Sequence, residues 1–286
     1  MDFIKIIIDD KFDGLNVEEI LSYFHLGKDK IKKLKNEHSF YIENDVIDEK
    51  RTLHKGDKLK IAINEKIDFA PLPSNLDVIY EDDYFLIVNK PRQMLIHPDG
   101  VSKELTLVNL VSYYFKSHHI NRKIRFCNRL DYDTEGLVIF CKDFISQAYM
   151  DYLIESRNVT KKYYAVCYNR FSIKEKVLNL PLARDRHSNK MRVAKHGKEA
   201  ISEYHVIKNG KTSLVEVNLH TGRTHQIRVH MAYINHPLVG DDLYGDDKEN
   251  PLGLQAYLIS FNHPFINKEV CVKISLSNVL KEESDI

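Results

Sequence analysis

The dipeptide Asn209-Gly210 stands between two alternating apolar runs, 201–207 and 214–219. Asn-Gly between such runs is the strongest short-range hairpin signal, and period-two alternation buries one face of each arm. The hairpin commits the chain to antiparallel pairing. Further apolar runs of strand length, 78–80, 85–88, 137–141, 163–168 and 270–276, are interspersed with helical spacings over 106–118 and 144–154. There is no regular strand–helix–strand alternation. The order predicts an α+β fold built on a mixed, largely antiparallel sheet.

A chain of 286 residues accommodates one large domain and one small one. Residues 1–63 have the pattern of a separate α/β module. Val17, Ile20, Leu21 and Phe24 fall at helical spacing; a second short helix follows over 28–35, with Ile31 and Leu34 inward and Asp29 as its expected cap; short strands come after it. Residues 64–76 contain Pro71 and Pro73, which hold an extended linker. Residues 77–286 form the larger domain.

The formal net charge of +1 excludes a uniformly basic nucleic-acid binder but leaves room for local patches. Two stand out. The window 28–35 carries Lys28, Lys30, Lys32, Lys33 and Lys35 against one acid, and 184–198 carries six cations, among them Arg184, Arg186, Lys190 and Arg192, against one Asp. Each reads as a solvated face or as a phosphate-contacting one. The second has no strong apolar periodicity, so it reads as a loop and hairpin. No apolar stretch approaches membrane-span length, and the N-terminus lacks the pattern of a signal peptide. The four cysteines show no C-x-x-C spacing and read as reduced thiols of a cytoplasmic protein. The fourteen histidines show no zincin spacing, so no metal site is expected.

Three segments carry candidate chemistry. In 128–136 (NRLDYDTEG), Asp131 lies in turn composition immediately before an apolar strand, two residues from Arg129. In 221–231 (TGRTHQIRVHM), Gly222 permits a sharp turn and Thr224 is the expected N-cap of a helix whose apolar face is Ile227, Met231 and Ile234. Arg228 points away from that stripe, and if buried it needs an anionic partner, for which Asp131 is a candidate. In 159–166 (VTKKYYAV), Tyr163 and Ala165 share one strand face, where an aromatic side chain is either core or a stacking platform for a base.

Together these segments resemble the RluA-type pseudouridine synthases. Arg129-Leu130-Asp131 with Thr134 and Gly136, then Lys161-x-Tyr163-x-Ala165, then the run 222–230, match that family's motifs in order. Val88-Asn89-Lys90-Pro91, His97-Pro98, the run 236–241 and Leu243-Tyr244-Gly245 support the match. Asn128, Tyr132, Glu135 and Gln255 depart from the family's usual residues. The helix pair and short strands of 1–63 resemble the small S-four-like RNA-binding domain, although Leu15-Asn16-Val17 replaces its usual Arg-Leu-Asp start.

The resemblance implies isomerisation of uridine to pseudouridine in ribosomal or transfer RNA, by a monomer that needs no cofactor or metal. The base is flipped out, its N1–C1′ bond breaks, the uracil turns, and C5 rejoins C1′. The resemblance assigns the catalytic carboxylate to Asp131, acting at C1′ or on a sugar proton. It pairs Arg228 with that carboxylate, stacks Tyr163 on the uracil with a part in C5 deprotonation, and places Arg129 in the space left by the flipped nucleotide. Ile227 packs beneath the site, and Arg223 and Lys161 contact substrate. The rival functions are an RNA-binding factor without catalysis and a nucleoside hydrolase; the latter usually needs several carboxylates around a metal, which this sequence does not supply.

Overall fold

The computed structural model describes residues 2–101, 104–186, 188 and 190–284. Residues 2–63 build a four-stranded antiparallel sheet in the order β1-β4-β2-β3 (β1 Asp2–Ile7, β2 Phe40–Ile42, β3 Asp45–Val46, β4 Lys58–Ile63). Two helices pack on it, α1 (Val17–Tyr23) and α2 (Lys28–Asn36). Asn16 caps α1 in a capping box with Glu19, with bonds of 2.8 and 2.9 Å. The cap of α2 is Gly27 rather than Asp29. Asp29 lies inside the first turn, where its charge still favours the helix N-terminus.

The larger sheet has the backbone order β10-β13-β14-β9-β15-β8-β6-β5, with β7 on β8 and β16 on β15. Its strands are β5 (Val78–Glu81), β6 (Phe85–Lys90), β7 (Arg125–Phe126), β8 (Glu135–Cys141), β9 (Val159–Tyr168), β10 (Glu175–Asn179), β13 (Ile201–Lys208), β14 (Thr212–Leu219), β15 (Leu254–His263) and β16 (Lys268–Lys273). A small hairpin pairs β11 (Leu182–Arg184) with β12 (Met191–Val193). Helices α3 (Leu107–Ser117), α4 (Phe144–Glu155), α5 (Gln226–Tyr233) and α6 (Asn278–Glu283) complete the elements. Pairing is antiparallel except between β8 and β15, which run parallel at Glu135–Gln255 and Gly136–Ala256. Gly136 makes that approach possible. Its φ is +119°, and a Cβ there would sit 2.1 Å from the Ala256 carbonyl oxygen.

The hairpin at Asn209-Gly210 forms, by a device other than a two-residue turn. Neither residue takes a positive φ. Instead the Asn209 carboxamide accepts the Phe171 N–H at 2.8 Å and donates to the Phe171 carbonyl at 2.7 Å, tying the turn to the neighbouring loop. A bulge lies between Val206 and Lys208.

The proline-bearing segment 64–77 has neither helix nor strand, but it is pinned to the larger sheet's surroundings. Glu65 pairs with Arg125, Asp68 accepts the Ile124 N–H at 3.0 Å, and Ile67, Phe69 and Leu76 pack against the core beneath α3. The N-terminal sheet also docks directly. Phe24 stacks on Phe265 with ring centres 4.6 Å apart, and Phe144 and Ile145 of α4 belong to its core. Burial of these aromatics holds the two sheets together.

Candidate active site

The turn before β8, the strand β9, the loop after β14 and the helix α5 deliver the candidate residues to one cleft of about 790 Å³. Asp131, Tyr163, Arg228, Arg129, Ile227, Arg223 and Lys161 all line it. The sequence separates these residues by up to 99 positions, and the sheet order brings them together.

Asp131 opens a tight turn closed by a 3.1 Å bond from the Thr134 N–H to its carbonyl, after which β8 begins. Asn128 extends the strand edge on the other side. Its side chain accepts the Ile139 N–H at 2.8 Å and donates to the Leu137 carbonyl at 3.2 Å. Lys90, fully buried at the end of β6, donates to the carbonyls of Pro91, Met94 and Tyr132 at 2.9, 2.9 and 3.2 Å. It thereby anchors the residue next to Asp131. Burial pushes its ammonium down to about 8, while Asp131, Asp133 and Glu135 pull the other way.

Tyr163 lies on β9 between Val217 and Ala256, with Ile227 in the same apolar cluster. Burial, then the charge of Asp131, pushes its phenol well above the ordinary range, so it is neutral at physiological pH. Lys161 is half-buried two residues earlier, and burial lowers its pKa. A Cβ on Gly222 would lie 3.7 Å from its Nζ. Arg129 is exposed at the cleft edge. Arg223 is tethered by Nε to the Glu199 carbonyl at 2.8 Å, and the Glu199 carboxylate pairs with Arg157.

Arg228 corrects one expectation in part. It does face Asp131, with Nη1 3.8 Å from Oδ2. Its closest partner is Asp241, which takes Nε at 2.9 Å and Nη2 at 2.7 Å in a bidentate pair. Asp241 is completely buried and also accepts the N–H groups of Leu243 and Tyr244. Asp242 lies 3.5 Å from Nη2. Burial opposes the guanidinium charge, but the bond to Asp241, with the field of Asp131, outweighs it and raises the pKa. The bidentate carboxylate fixes the plane of the guanidinium and leaves Nη1 for Asp131.

Helix α5 starts differently from the expected Thr224 cap. His225 occupies the cap position in the left-handed region (φ 54°, ψ 22°), and no side chain caps it. The turn is held instead by buried Gln226, whose amide oxygen accepts from Thr221 Oγ1 (2.8 Å) and Arg223 N–H (3.0 Å). Its amide nitrogen donates to the Ile201 carbonyl and Ser202 Oγ. His230 is likewise structural, bonded to Ser202 Oγ and the Leu180 carbonyl at 3.0 Å each. Three residues close to the site went unassigned from the sequence: His225, Asp241 and Tyr244. Tyr244 lies under the Arg228 guanidinium at 5.4 Å. The matched runs 222–230, 236–241 and 243–245 contain all three without giving them a role, and the demand of a buried arginine for an acid does not say which acid.

The two basic windows lie outside the cleft. In α2, Lys33 pairs with Glu37 at 3.7 Å, Lys35 pairs with Glu49, and Lys30 packs over the Phe144 ring at 4.2 Å. Lys28 and Lys32 are exposed. Arg184, Arg186, Lys190 and Arg192 are exposed on the β11–β12 hairpin and its loop. Among the described residues no group of three His, Cys, Asp or Glu side chains converges as metal ligands, and no helix is long and apolar enough to cross a membrane.

Residues 84–233 match the model of the RNA pseudouridylate synthase family. The chain belongs to this family. It is an RNA pseudouridine synthase, an isomerase of the RluA type. It is 31% identical over 274 residues to the uncharacterised RNA pseudouridine synthase YhcT of Bacillus subtilis, covering 93% of this chain and 91% of the relative. It is 34% identical over 215 residues to ribosomal large subunit pseudouridine synthase D of Vibrio parahaemolyticus, covering 68% of this chain and 65% of the relative. Among solved structures, human RNA pseudouridylate synthase domain containing 1 superposes with a TM-score of 0.61 at 25% identity, over 73% of this chain and 87% of that one. Asp131, Tyr163 and Arg228, which line the cleft, all lie within the matched residues 84–233.

Proposed function

We propose that this synthase isomerises uridines of ribosomal RNA, with Asp131 as its catalytic carboxylate; transfer RNA is the second substrate class. The observation that carries the assignment is the position of Asp131 in the cleft, faced by Arg228 Nη1 at 3.8 Å and by the buried Tyr163 ring that lines the same cavity. The name of the Vibrio relative favours the ribosomal substrate.

In this reading the target nucleotide is turned out of its stem or loop, and Arg129, exposed at the rim, fills the space it leaves. The uracil stacks on Tyr163 above Ile227. Breaking N1–C1′ builds positive character at C1′, and the Asp131 carboxylate stabilises it, by bonding to C1′ or by taking a sugar proton. The freed uracil turns, C5 bonds to C1′ as the Asp131 carboxylate is released, the C5 proton passes to solvent and N1 takes up a proton, so substrate and product have the same composition. Tyr163, held as a neutral phenol, serves the C5 proton as a hydrogen-bond partner rather than as a standing base. Leu130, Ile227 and Leu254 give the cleft apolar walls that keep water from the intermediate. Lys161 and Arg223 contact the sugar–phosphate chain, and the β11–β12 hairpin and the N-terminal module (residues 1–63, joined by 64–76), through its lysine face, bind RNA beyond the cleft. The enzyme acts as a monomer in the cytoplasm.

The test is tritium release from large-subunit ribosomal RNA transcribed with C5-tritiated uridine. Asp131→Asn abolishes release while RNA affinity stays within about two-fold, because the lost interaction belongs to the transition state. Retained release by this variant overturns the assignment. Pseudouridine mapping of cellular RNA with and without the enzyme names the sites.

A further inference from the structure

The geometry points to His225 as a positioning residue for Asp131, acting through an Nε2–H whose tautomer Tyr244 imposes. The inference rests on the catalytic reading of Asp131 above.

His225 Nε2 lies 3.9 Å from Asp131 Oδ1, while Arg228 Nη1 lies 3.8 Å from Oδ2, so the two oxygens of the carboxylate face different donors. The tautomer follows from Tyr244. Its hydroxyl accepts the Met191 N–H at 2.8 Å and lies 2.8 Å from His225 Nδ1. A phenol has a single hydrogen, which with Met191 donating to the oxygen is available for Nδ1; the opposite tautomer would turn an Nε2 lone pair toward the Asp131 carboxylate, so the two contacts together favour donation from Tyr244 to Nδ1. The imidazole proton then resides on Nε2, the nitrogen that faces Asp131. Burial, the largest influence, and the neighbouring Arg228 disfavour a charged ring, while Asp131, Asp241 and Asp242 favour one; the balance lowers its pKa. His225 is therefore a neutral donor at physiological pH.

The backbone supports the same reading. His225 sits at φ 54°, a conformation that is uncommon for a side chain of this size and that aims the ring back into the cleft rather than along α5. Neither Gln226 nor His230, both committed to structural bonds, faces the carboxylate. With Arg228 oriented by Asp241 on one side and His225 oriented by Tyr244 on the other, Asp131 is held between two donors that are each locked from behind. Catalytic contacts of this length in an empty cleft commonly tighten once substrate is bound. The Met191 bond also links this arm to β12, so the basic hairpin and the carboxylate share one chain of contacts.

The experiment compares His225→Leu and His225→Gln with wild type and with Asp131→Asn, using the same C5-tritiated ribosomal transcript. Both substitutions are unbranched at Cβ and meet the same backbone strain, but only Gln restores an N–H toward Asp131. A donor to a charged group corresponds to roughly 10-fold to 100-fold in kcat, so His225→Leu loses that much while its KM stays within about two-fold. His225→Gln retains about a third or more of kcat, and the melting temperatures of the two variants match. A Leu variant with near-wild-type kcat overturns the inference, as does a Gln variant as impaired as Leu. If Asp131→Asn itself turns over, the reading of the site fails; if it is dead while His225→Leu is active, only the role of His225 fails.

Discussion

Arg228 and Lys90 are two buried cations in the field of Asp131, and the protein holds them by different chemistry. Arg228 is clamped by a carboxylate, the fully buried Asp241, in two bonds of 2.7 and 2.9 Å. Lys90 is held by three neutral carbonyls, and the nearest charges, Asp131, Asp133 and Glu135, only moderate the effect of burial. An ion pair in a dry site preserves its charge, whereas dipoles alone leave the charge open to titration. One cation is thus a permanent part of the wall facing Asp131, and the other is a clamp on the turn that carries it.

The largest effect expected from breaking this comparison is at Arg228. Arg228→Met removes the guanidinium that faces Asp131 and leaves Asp241 buried without a cation. Tritium release falls to background, and stability drops by about 3–5 kcal/mol, the usual cost of orphaning one partner of a buried pair. The double variant Arg228→Met/Asp241→Asn, which removes the orphaned charge but keeps an acceptor for the Leu243 and Tyr244 N–H groups, recovers part of the stability and none of the activity. Urea unfolding of the three proteins measures it; a single variant as stable as wild type would show that the Asp241 pair is not the anchor described.

Lys90 gives the next effect, and it depends on pH. Its folded pKa, about 8, lies below its ordinary value of 10.5. Between these values the unfolded chain binds more protons than the folded one, so the contribution of Lys90 to stability rises with pH. It is fully present above 10.5 and is lost as pH falls through about 8. The difference in unfolding free energy between wild type and Lys90→Met therefore shifts in favour of wild type by about 3 kcal/mol from pH 7.5 to 10.5, on the order of the two to three units of pKa displacement. The corresponding difference for Arg228→Met stays flat over that window because Arg228 remains charged. Equal pH dependence of the two differences would erase the distinction between carboxylate and carbonyl holding.

The contrast also explains what was legible in the sequence. The strand and helix patterns were readable because periodicity is local: the runs around Asn209-Gly210, the strand after Gly136 and the helices at 107–117 and 144–155 appear where their spacing puts them. The gathering of Asp131, Tyr163 and Arg228 was readable only through the order of the motifs, since no local rule brings β8, β9 and α5 to one cleft. The acid that holds Arg228 was not readable. A buried arginine demands a carboxylate, but both Asp131 and Asp241 meet that demand on paper, and only the packing of the loop after α5 makes Asp241 the bidentate partner. Thr224 is a better N-cap than His225 by composition. It lost because Gln226 closes the turn from inside, which frees His225 to adopt a left-handed backbone facing the cleft. The lysine face of α2 was legible as a charge run, yet Glu37 and Glu49 neutralise part of it and Lys30 covers Phe144.

The smallest effects are expected from the exposed cations, which mark the outer limit of the comparison. Lys190 and Arg192 stand on the β11–β12 hairpin in solvent, and Arg192 approaches Asp185 only at 3.9 Å. Removing either charge changes stability by less than about 1 kcal/mol, the ceiling for an exposed pair. The effect expected of them is on RNA affinity. If each neutralises one phosphate, Lys190→Ala and Arg192→Ala each lower the slope of log affinity against log salt by about 1, with the loss greatest at low salt. KM rises accordingly while kcat at saturating RNA is unchanged, because the hairpin touches none of the reacting atoms. Lys28→Ala and Lys32→Ala provide the matching measurement on the N-terminal module. A salt slope that moves with the hairpin variants but not with these two would assign the outer RNA contact to the hairpin alone. A fall in kcat from Arg192→Ala would instead show that the Met191–Tyr244–His225 chain transmits hairpin contacts to Asp131, and that the separation between exposed and buried cations is less complete than their burial suggests.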